Sequence, residues 1–265
     1  MYPKLLHLYG PFELNSFNAL IIVGIAVFMR AVLAHPGRDA YISKDDFINL
    51  SLEAALAGII GGRLVHVLSD WQHYSSLYDI LSIWNGGLSI LGAILGVFSY
   101  SIISLTAKHI PPLAVFDIAA LYAPLIHAIA RIGCFLTGCC YGAQTAVPWA
   151  IEYVHPLIVA PLHIKIHPTQ LYSSALYFLL FFALRRVSAY YPVGTGRLLM
   201  LYLMGMSLER LLVDFFRGDR IMMAHPAFQF LSFHQWLALA IFCTAGIGLV
   251  YLERKSHSSS PSLKV

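Results

Sequence analysis

The sequence predicts an all-α integral membrane protein with about seven transmembrane helices, its N-terminus outside and its C-terminus cytoplasmic. Three observations carry that prediction. Hydrophobic residues fill 58% of the 265 positions, charged residues only 11%, and mean hydropathy is +0.71, whereas a soluble domain is about a quarter charged. The apolar residues collect into seven runs near the length of about 20 residues that crosses a bilayer. The lysines and arginines between those runs are unevenly shared between the two sides. A net charge of +4, scattered along the chain, does not make a nucleic-acid surface.

The runs are 17–34, 50–68, 88–105, 113–132, 171–187, 198–215 and 233–251. MYPKLLHLYGPFELNS, which precedes the first, lacks the compact apolar core and small-residue cleavage site of a secretory signal, so the first run is expected to remain as a span. The fifth is short. Between the fourth and fifth, residues 143–166 contain Pro148, Pro156 and Pro161 with Trp149 and Tyr153, the composition of a small extracytoplasmic cap. With the N-terminus outside, ten cations (Arg30, Arg38, Lys44, Lys108, Arg185, Arg186, Arg197, Arg254, Lys255 and Lys264) fall on the cytoplasmic side. Only four (Lys4, Lys165, Arg217 and Arg220) fall outside. The positive-inside rule favours that orientation. Residues 1–252 read as one polytopic domain and 253–265 as a polar, disordered cytoplasmic tail.

Charge within a span costs about 2.5–3.5 kcal/mol on insertion scales, so each intramembrane charge is a functional candidate. Arg63 lies in GIIGGRLVHVL with His66 close by; Asp117, His127 and Arg131 lie on or at the end of the fourth run. SLERLLVDFFRGDR (207–220) places Arg210, Asp214 and Arg217 on one helix face. Two guanidinium forks flanking a carboxylate can bind phosphate oxygens bidentately; the same string also reads as a juxtamembrane ion pair, with Arg217 and Arg220 among lipid headgroups. The glycine pairs at 61–62 and 86–87 permit close helix contact or a broken helix, and GCCYG (138–142) can turn backbone amides toward an anion. In HPTQLYSS (167–174), Thr169 is a candidate N-cap and Tyr172 an aromatic-belt residue, with His167 and Gln170 as polar members of a headgroup site. Cys134, Cys139 and Cys140 do not follow C-x-x-C spacing, so no metal ligand set is read from them. Cys134 reads as apolar packing; Cys139 and Cys140 are packing as well or, beside Arg131, thiols of lowered pKa, open to oxidation in a periplasmic location.

Six motifs taken together resemble the prolipoprotein diacylglyceryl transferase family: GGRLVHVL (61–68), WNGGLSILGAILG (84–96), ARIGCFLTGCCYG (130–142), HPTQLYSS (167–174), ERLLVDFFR (209–217) and SFHQWL (232–237). They stand in the family's order across nearly the whole chain. The resemblance implies catalytic roles for Arg131, Arg210 and Asp214, the last where the family has glutamate. It implies substrate contacts for Arg63, Gly142, His167, Gln170, Tyr172 and Arg217. The chain departs from the family pattern at Leu91, where a histidine is usual, at Cys134 and Cys139, where asparagine and glutamate are usual, and at Phe17 and Ser173.

The implied reaction moves a diacylglyceryl group from phosphatidylglycerol to the lipobox cysteine of prolipoproteins. Its partners are phosphatidylglycerol, prolipoprotein signal peptides and membrane lipids, without cofactor, metal or nucleic acid, in a bacterial inner membrane. With Leu91 at the histidine position, His66, His127, His167 and Asp214 are candidate bases, or the arginines alone activate the incoming thiol. Other readings are the same lipid donor with a different acceptor, a non-catalytic lipid-binding protein, and a thiol oxidoreductase using Cys139 and Cys140.

Overall fold

Every one of the seven apolar runs is helical in the computed structural model, which describes residues 4–9, 12–74, 76–82, 86–223 and 225–259. The helices are α1 (Ser16–Leu33), α2 (Lys44–Ser69), the short α3 (Leu77–Leu81), α4 (Ile90–Ala107), α5 (Pro112–Thr137), α6 (Thr169–Val187), α7 (Arg197–Asp214) and α8 (Phe233–Ser259). Five of them, α1, α2, α4, α5 and α8, are long and apolar enough to cross a membrane. Helix α7 is less apolar because Arg197, Glu209, Arg210 and Asp214 share its 18 residues, and α6 ends in Arg185 and Arg186. Large apolar side chains such as Ile22, Ile60, Ile103 and Ile247 point outward. In water such faces would drive association, so lipid is their natural solvent. The chain is a mostly helical, multi-pass membrane protein.

Two small antiparallel sheets depart from a purely helical fold. Strands β1 (Lys4–Tyr9) and β2 (Phe12–Asn15) pair Lys4 with Asn15 and Tyr9 with Phe12. Strands β3 (Ile151–Glu152) and β4 (Lys165–Ile166) organise the predicted cap, around a core of Tyr153, Ile158, Ala160 and Ile166. Helix α8 continues through Ser259, so helix reaches into the segment expected to be disordered; residues 260–265 lie outside the described residues, as do Trp84 and Asn85 of the second motif.

The chain divides into two compact units, Pro36–Val115 and Met1–His35 with Phe116–Val265. In the first, α2 starts at Ser43, whose hydroxyl accepts from the Asp46 amide, with Asp45 and Asp46 in the first turn; both features suit a helix N-terminus. Glycines let α2 and α4 touch through their backbones. A Cβ at Gly61 would stand 2.5 Å from the Gly92 carbonyl oxygen, and one at Gly92 2.3 Å from that of Gly61. The Gly61–Gly62 pair therefore serves close packing, and α2 is unbroken.

Arg63, expected to contact substrate, is bonded to backbone carbonyls. Its Nε donates to Ile80 (2.8 Å), one terminal nitrogen to Gly86 (2.6 Å) and Gly87 (2.9 Å), and the other to Asp79 (2.6 Å) and Ser82 (3.3 Å), all backbone carbonyls. A guanidinium has five N–H groups, and each is engaged. Segments 79–82 and 86–87 converge on the buried cation, so Arg63 clamps them together. Gly87, at φ +77, has no room for a side chain, because a Cβ would lie 2.5 Å from His66 Nε2.

In the second unit Asp117 is wholly buried and holds the start of α7. Its carboxylate accepts from the amides of Gly194 (3.0 Å), Gly196 (2.8 Å) and Leu199 (2.9 Å). These amides would otherwise lack partners at the helix N-terminus, where a carboxylate also meets the positive end of the dipole. The intramembrane Asp117 is thus a cap supplied by α5 to α7.

Candidate active site

Helix α5 outlasts its apolar run by five residues, because Gly133 to Thr137 keep helical geometry although hydropathy falls. Arg131 and Cys134 therefore ride on a helix. It stops at Gly138, whose φ of +71 is the usual left-handed terminator; a Cβ there would strike Ile158 of the cap at 2.2 Å. The following turn is pinned from two directions. Gln170 Nε2 donates to the Cys139 carbonyl (2.8 Å) and Thr169 Oγ1 to that of Cys140 (2.9 Å). The amides of Ala143 and Gly218 donate to Phe216 (2.8 Å) and Tyr141 (3.0 Å). Gly142 bridges to Arg217, and a Cβ on it would lie 2.2 Å from the His167 carbonyl oxygen. Gly142 is thus a backbone joint between the α5 turn, the α6 entry and the end of α7. Thr169 does not cap α6: Pro168 occupies that position without a side-chain cap, because the Thr169 hydroxyl is committed to Cys140.

At the end of α7, Asp214 is 1% exposed and gathers three guanidiniums. Its Oδ1 lies 3.3 Å from Arg210 and 3.9 Å from Arg217, and its Oδ2 3.7 Å from Arg220. Ser232 donates a short hydrogen bond to Oδ2, and Gln235 accepts from both Arg220 (2.9 Å) and the Ser232 amide (3.0 Å). Arg217 is not on the α7 face, since the helix ends at Asp214. It reaches Asp214 from the turn beyond and forms a two-pronged pair with Asp219 at 2.8 Å on each nitrogen.

Arg131 approaches the same region from α5. It interacts electrostatically with Glu209, Tyr177, Cys140 and Cys134; Tyr177 in turn donates to Glu209 at 2.9 Å. Arg210 feels Arg217, Asp214, Arg131 and Glu209. Beside Arg210 an open cleft of ≈ 190 Å³ is lined by Tyr177, Met206, Ser207, His234, Leu237 and Ile241, so a cation sits at the head of an apolar slot. His167 and the Trp149 indole both meet the Tyr172 hydroxyl, at 3.1 and 2.6 Å, and His167 packs edge-on to Phe216. His127 is stacked on Tyr177 and bonded to Tyr202 at 2.8 Å.

All four cysteines are free. Cys140, in the left-handed region at φ +56, is held far below the usual thiol range by hydrogen bonds from Cys134 and Cys139, and then by Arg217 and Arg131. Cys139 is drawn down by Cys134, but Cys140 and burial leave it raised overall. Of the two thiols in the turn, Cys140 is thus the one drawn down, one residue beyond the position that the family pattern singles out.

The family model described as prolipoprotein diacylglyceryl transferase matches residues 3–251. The chain belongs to the prolipoprotein diacylglyceryl transferase family. A phosphatidylglycerol–prolipoprotein diacylglyceryl transferase of Clostridium tetani is 32% identical over 219 residues, covering 83% of this chain and 86% of that protein. The Thermotoga maritima protein of the same name is 32% identical over 228 residues, or 84% and 78% of the two chains. That of Corynebacterium diphtheriae is 30% identical over 274 residues, or 96% and 93%.

Among the residues that the family resemblance singles out, Arg131, Gly142, His167, Gln170, Tyr172, Arg210, Asp214 and Arg217 all belong to the larger unit, and Arg63 to the smaller. Glu209, Arg220, Ser232, Gln235 and Trp149 join the site without having been singled out. The family motifs contain three of them: Glu209 opens ERLLVDFFR, and Ser232 and Gln235 belong to SFHQWL.

Proposed function

We infer that this family member transfers the diacylglyceryl group of phosphatidylglycerol to the lipobox cysteine of prolipoproteins, the donor and acceptor that the relatives' names carry. The observation supporting it most is the arginine cluster around Asp214, one member of which, Arg210, lines an apolar cleft. Arg131, Arg210, Arg217 and Arg220 face Glu209, Asp214 and Asp219, one cation in excess. A phosphodiester brings the matching single negative charge. Asp214 holds Arg210 and Arg220 at ion-pair distances longer than tight hydrogen bonds, so their forks can turn to phosphate oxygens.

The acceptor thiolate attacks the glycerol carbon that carries the phosphate ester. The C–O bond breaks, a C–S thioether forms, and glycerol phosphate leaves with the bonding pair. Arg131 and Arg210 are the fixed cations that stabilise charge developing on that phosphate. They also favour the thiolate of an incoming cysteine, as neighbouring cations do for Cys140. Asp214 orients the guanidiniums, while Gln170, Tyr172, His167 and Gly142 hold the turn and the α6 entry around the headgroup. In this reading the chain crosses a bacterial inner membrane seven times with its N-terminus outside, and the site opens on the extracytoplasmic face, where the exported acceptor arrives.

Complementation tests this reading. In cells depleted of their own transferase, the protein should restore growth and lipoprotein modification, and its Arg131→Ala variant should not. Failure of a membrane-inserted wild-type protein to rescue, where the host gene does, would overturn it. Rescue of lipid consumption without lipoprotein modification would instead assign a different acceptor.

A further inference from the structure

The three clustered cysteines are not explained by phosphate binding or by the transfer reaction. Their Sγ atoms lie within 4.8 Å of one another, although the sequence separates Cys134 from Cys139 by most of a helical turn and the Gly138 stop. We propose that Cys134, Cys139 and Cys140 bind one soft, thiophilic monovalent cation of the Cu⁺ type, for which Cd²⁺ is a spectroscopic stand-in.

The geometry is close to what such an ion requires. Three sulfurs at a metal–sulfur distance of about 2.3 Å in a trigonal plane stand about 4 Å apart, so the cluster closes by less than an ångström. The backbone holds it in place: Gly138 and Cys140 both take left-handed conformations, at φ +71 and +56. The second is costly for a residue with a side chain and turns Cys140 back toward α5. Gln170 and Thr169 lock the carbonyls of Cys139 and Cys140, so the chain direction on both sides of the sulfurs is set before any ion arrives.

The donor chemistry selects the ion. Sulfur-only coordination favours soft metals over calcium, magnesium or manganese, which take oxygen. Three thiolates on a monovalent ion carry two negative charges. Arg131 and Arg217 act electrostatically on Cys140, and they lower the cost of that excess. Binding releases the remaining thiol protons to solvent and involves no electron transfer. The fourth cysteine, Cys243, is exposed on α8 and serves as an internal control.

The test uses the full-length protein in detergent, reduced and free of oxygen. Titration with Cd²⁺ should raise a thiolate-to-metal absorption that saturates at one equivalent, and Cu⁺ should be withdrawn from a chromophoric chelator at the same stoichiometry. Loading should protect three of the four thiols from a thiol reagent. Cys134→Ser, Cys139→Ser and Cys140→Ser should each weaken binding by at least about tenfold, and Cys243→Ser should leave it unchanged. Saturation that disappears in Cys243→Ser, four thiols still reactive after loading, or a disulfide within the trio in freshly isolated protein would overturn the proposal. Should a serine variant fail to fold, the thiol count on the wild-type protein decides. None of these readouts depends on transferase activity, so their failure leaves the functional reading intact.

Discussion

Arg131 and Arg210 reach the proposed phosphate site from different helices; Arg131 feels the charge of Glu209, and Arg210 is paired with Asp214. Alanine at either position should abolish transfer of labelled lipid while the protein still accumulates in the membrane. Arg210→Lys should recover less than about a tenth of the activity, because an ammonium cannot reproduce the planar fork. Asp214 is the more structural of the charged residues. Its carboxylate is 1% exposed among three guanidiniums, and Asp214→Asn leaves those cations without their anion. Loss of one partner from a buried charge cluster costs about 3–5 kcal/mol, so this variant should melt markedly lower in detergent as well as lose activity. Leu91 makes a contrast. It stands where the family usually has histidine, yet it is 62% exposed on α4, and Leu91→His should therefore express and melt like the wild type.

Among the elements, α7 depends most on a distant residue. Asp117 lies 77 positions before the first amide that it caps, at Gly194, and Asp117→Ala should destabilise the protein by about 2 kcal/mol, measurable as a lower thermal midpoint with the arginines untouched. Helix existence was legible in the sequence because apolar runs of bilayer length leave little choice of structure. Helix ends were not. Hydropathy fades at Ile132 while α5 continues to Thr137, since helical hydrogen bonding is indifferent to whether Arg131 or Cys134 is apolar. Thr169 looks like an N-cap by residue type, but its hydroxyl is taken by a carbonyl 29 positions away. Arg63 looks like a lipid ligand because an intramembrane cation needs a partner; the partners are backbone carbonyls of a loop 16 to 24 residues on. At the site, one motif holds Arg210, Asp214 and Arg217, which the structure pairs. Ser232, Gln235 and Arg220 join them only because α8 packs on α7.

At the scale of the whole molecule, the chain combines long apolar helices with a set of charges that lipid alone could not accommodate. Reporter fusions should place the N-terminus outside and the C-terminus in the cytoplasm; a cytoplasmic residue 143–166 segment would put the arginine cluster on the wrong face for an exported acceptor. The central claim is that this cluster drives transfer from the lipid phosphate to a thiol. Its most direct measurement is a single reaction with purified protein, phosphatidylglycerol labelled in the diacylglyceryl part, and a lipobox peptide with one cysteine. The predicted result is labelled thioether on the peptide with stoichiometric release of glycerol phosphate, absent for Arg131→Ala and Arg210→Ala. Undiminished transfer by both alanine variants, or none by folded wild-type protein, would contradict it.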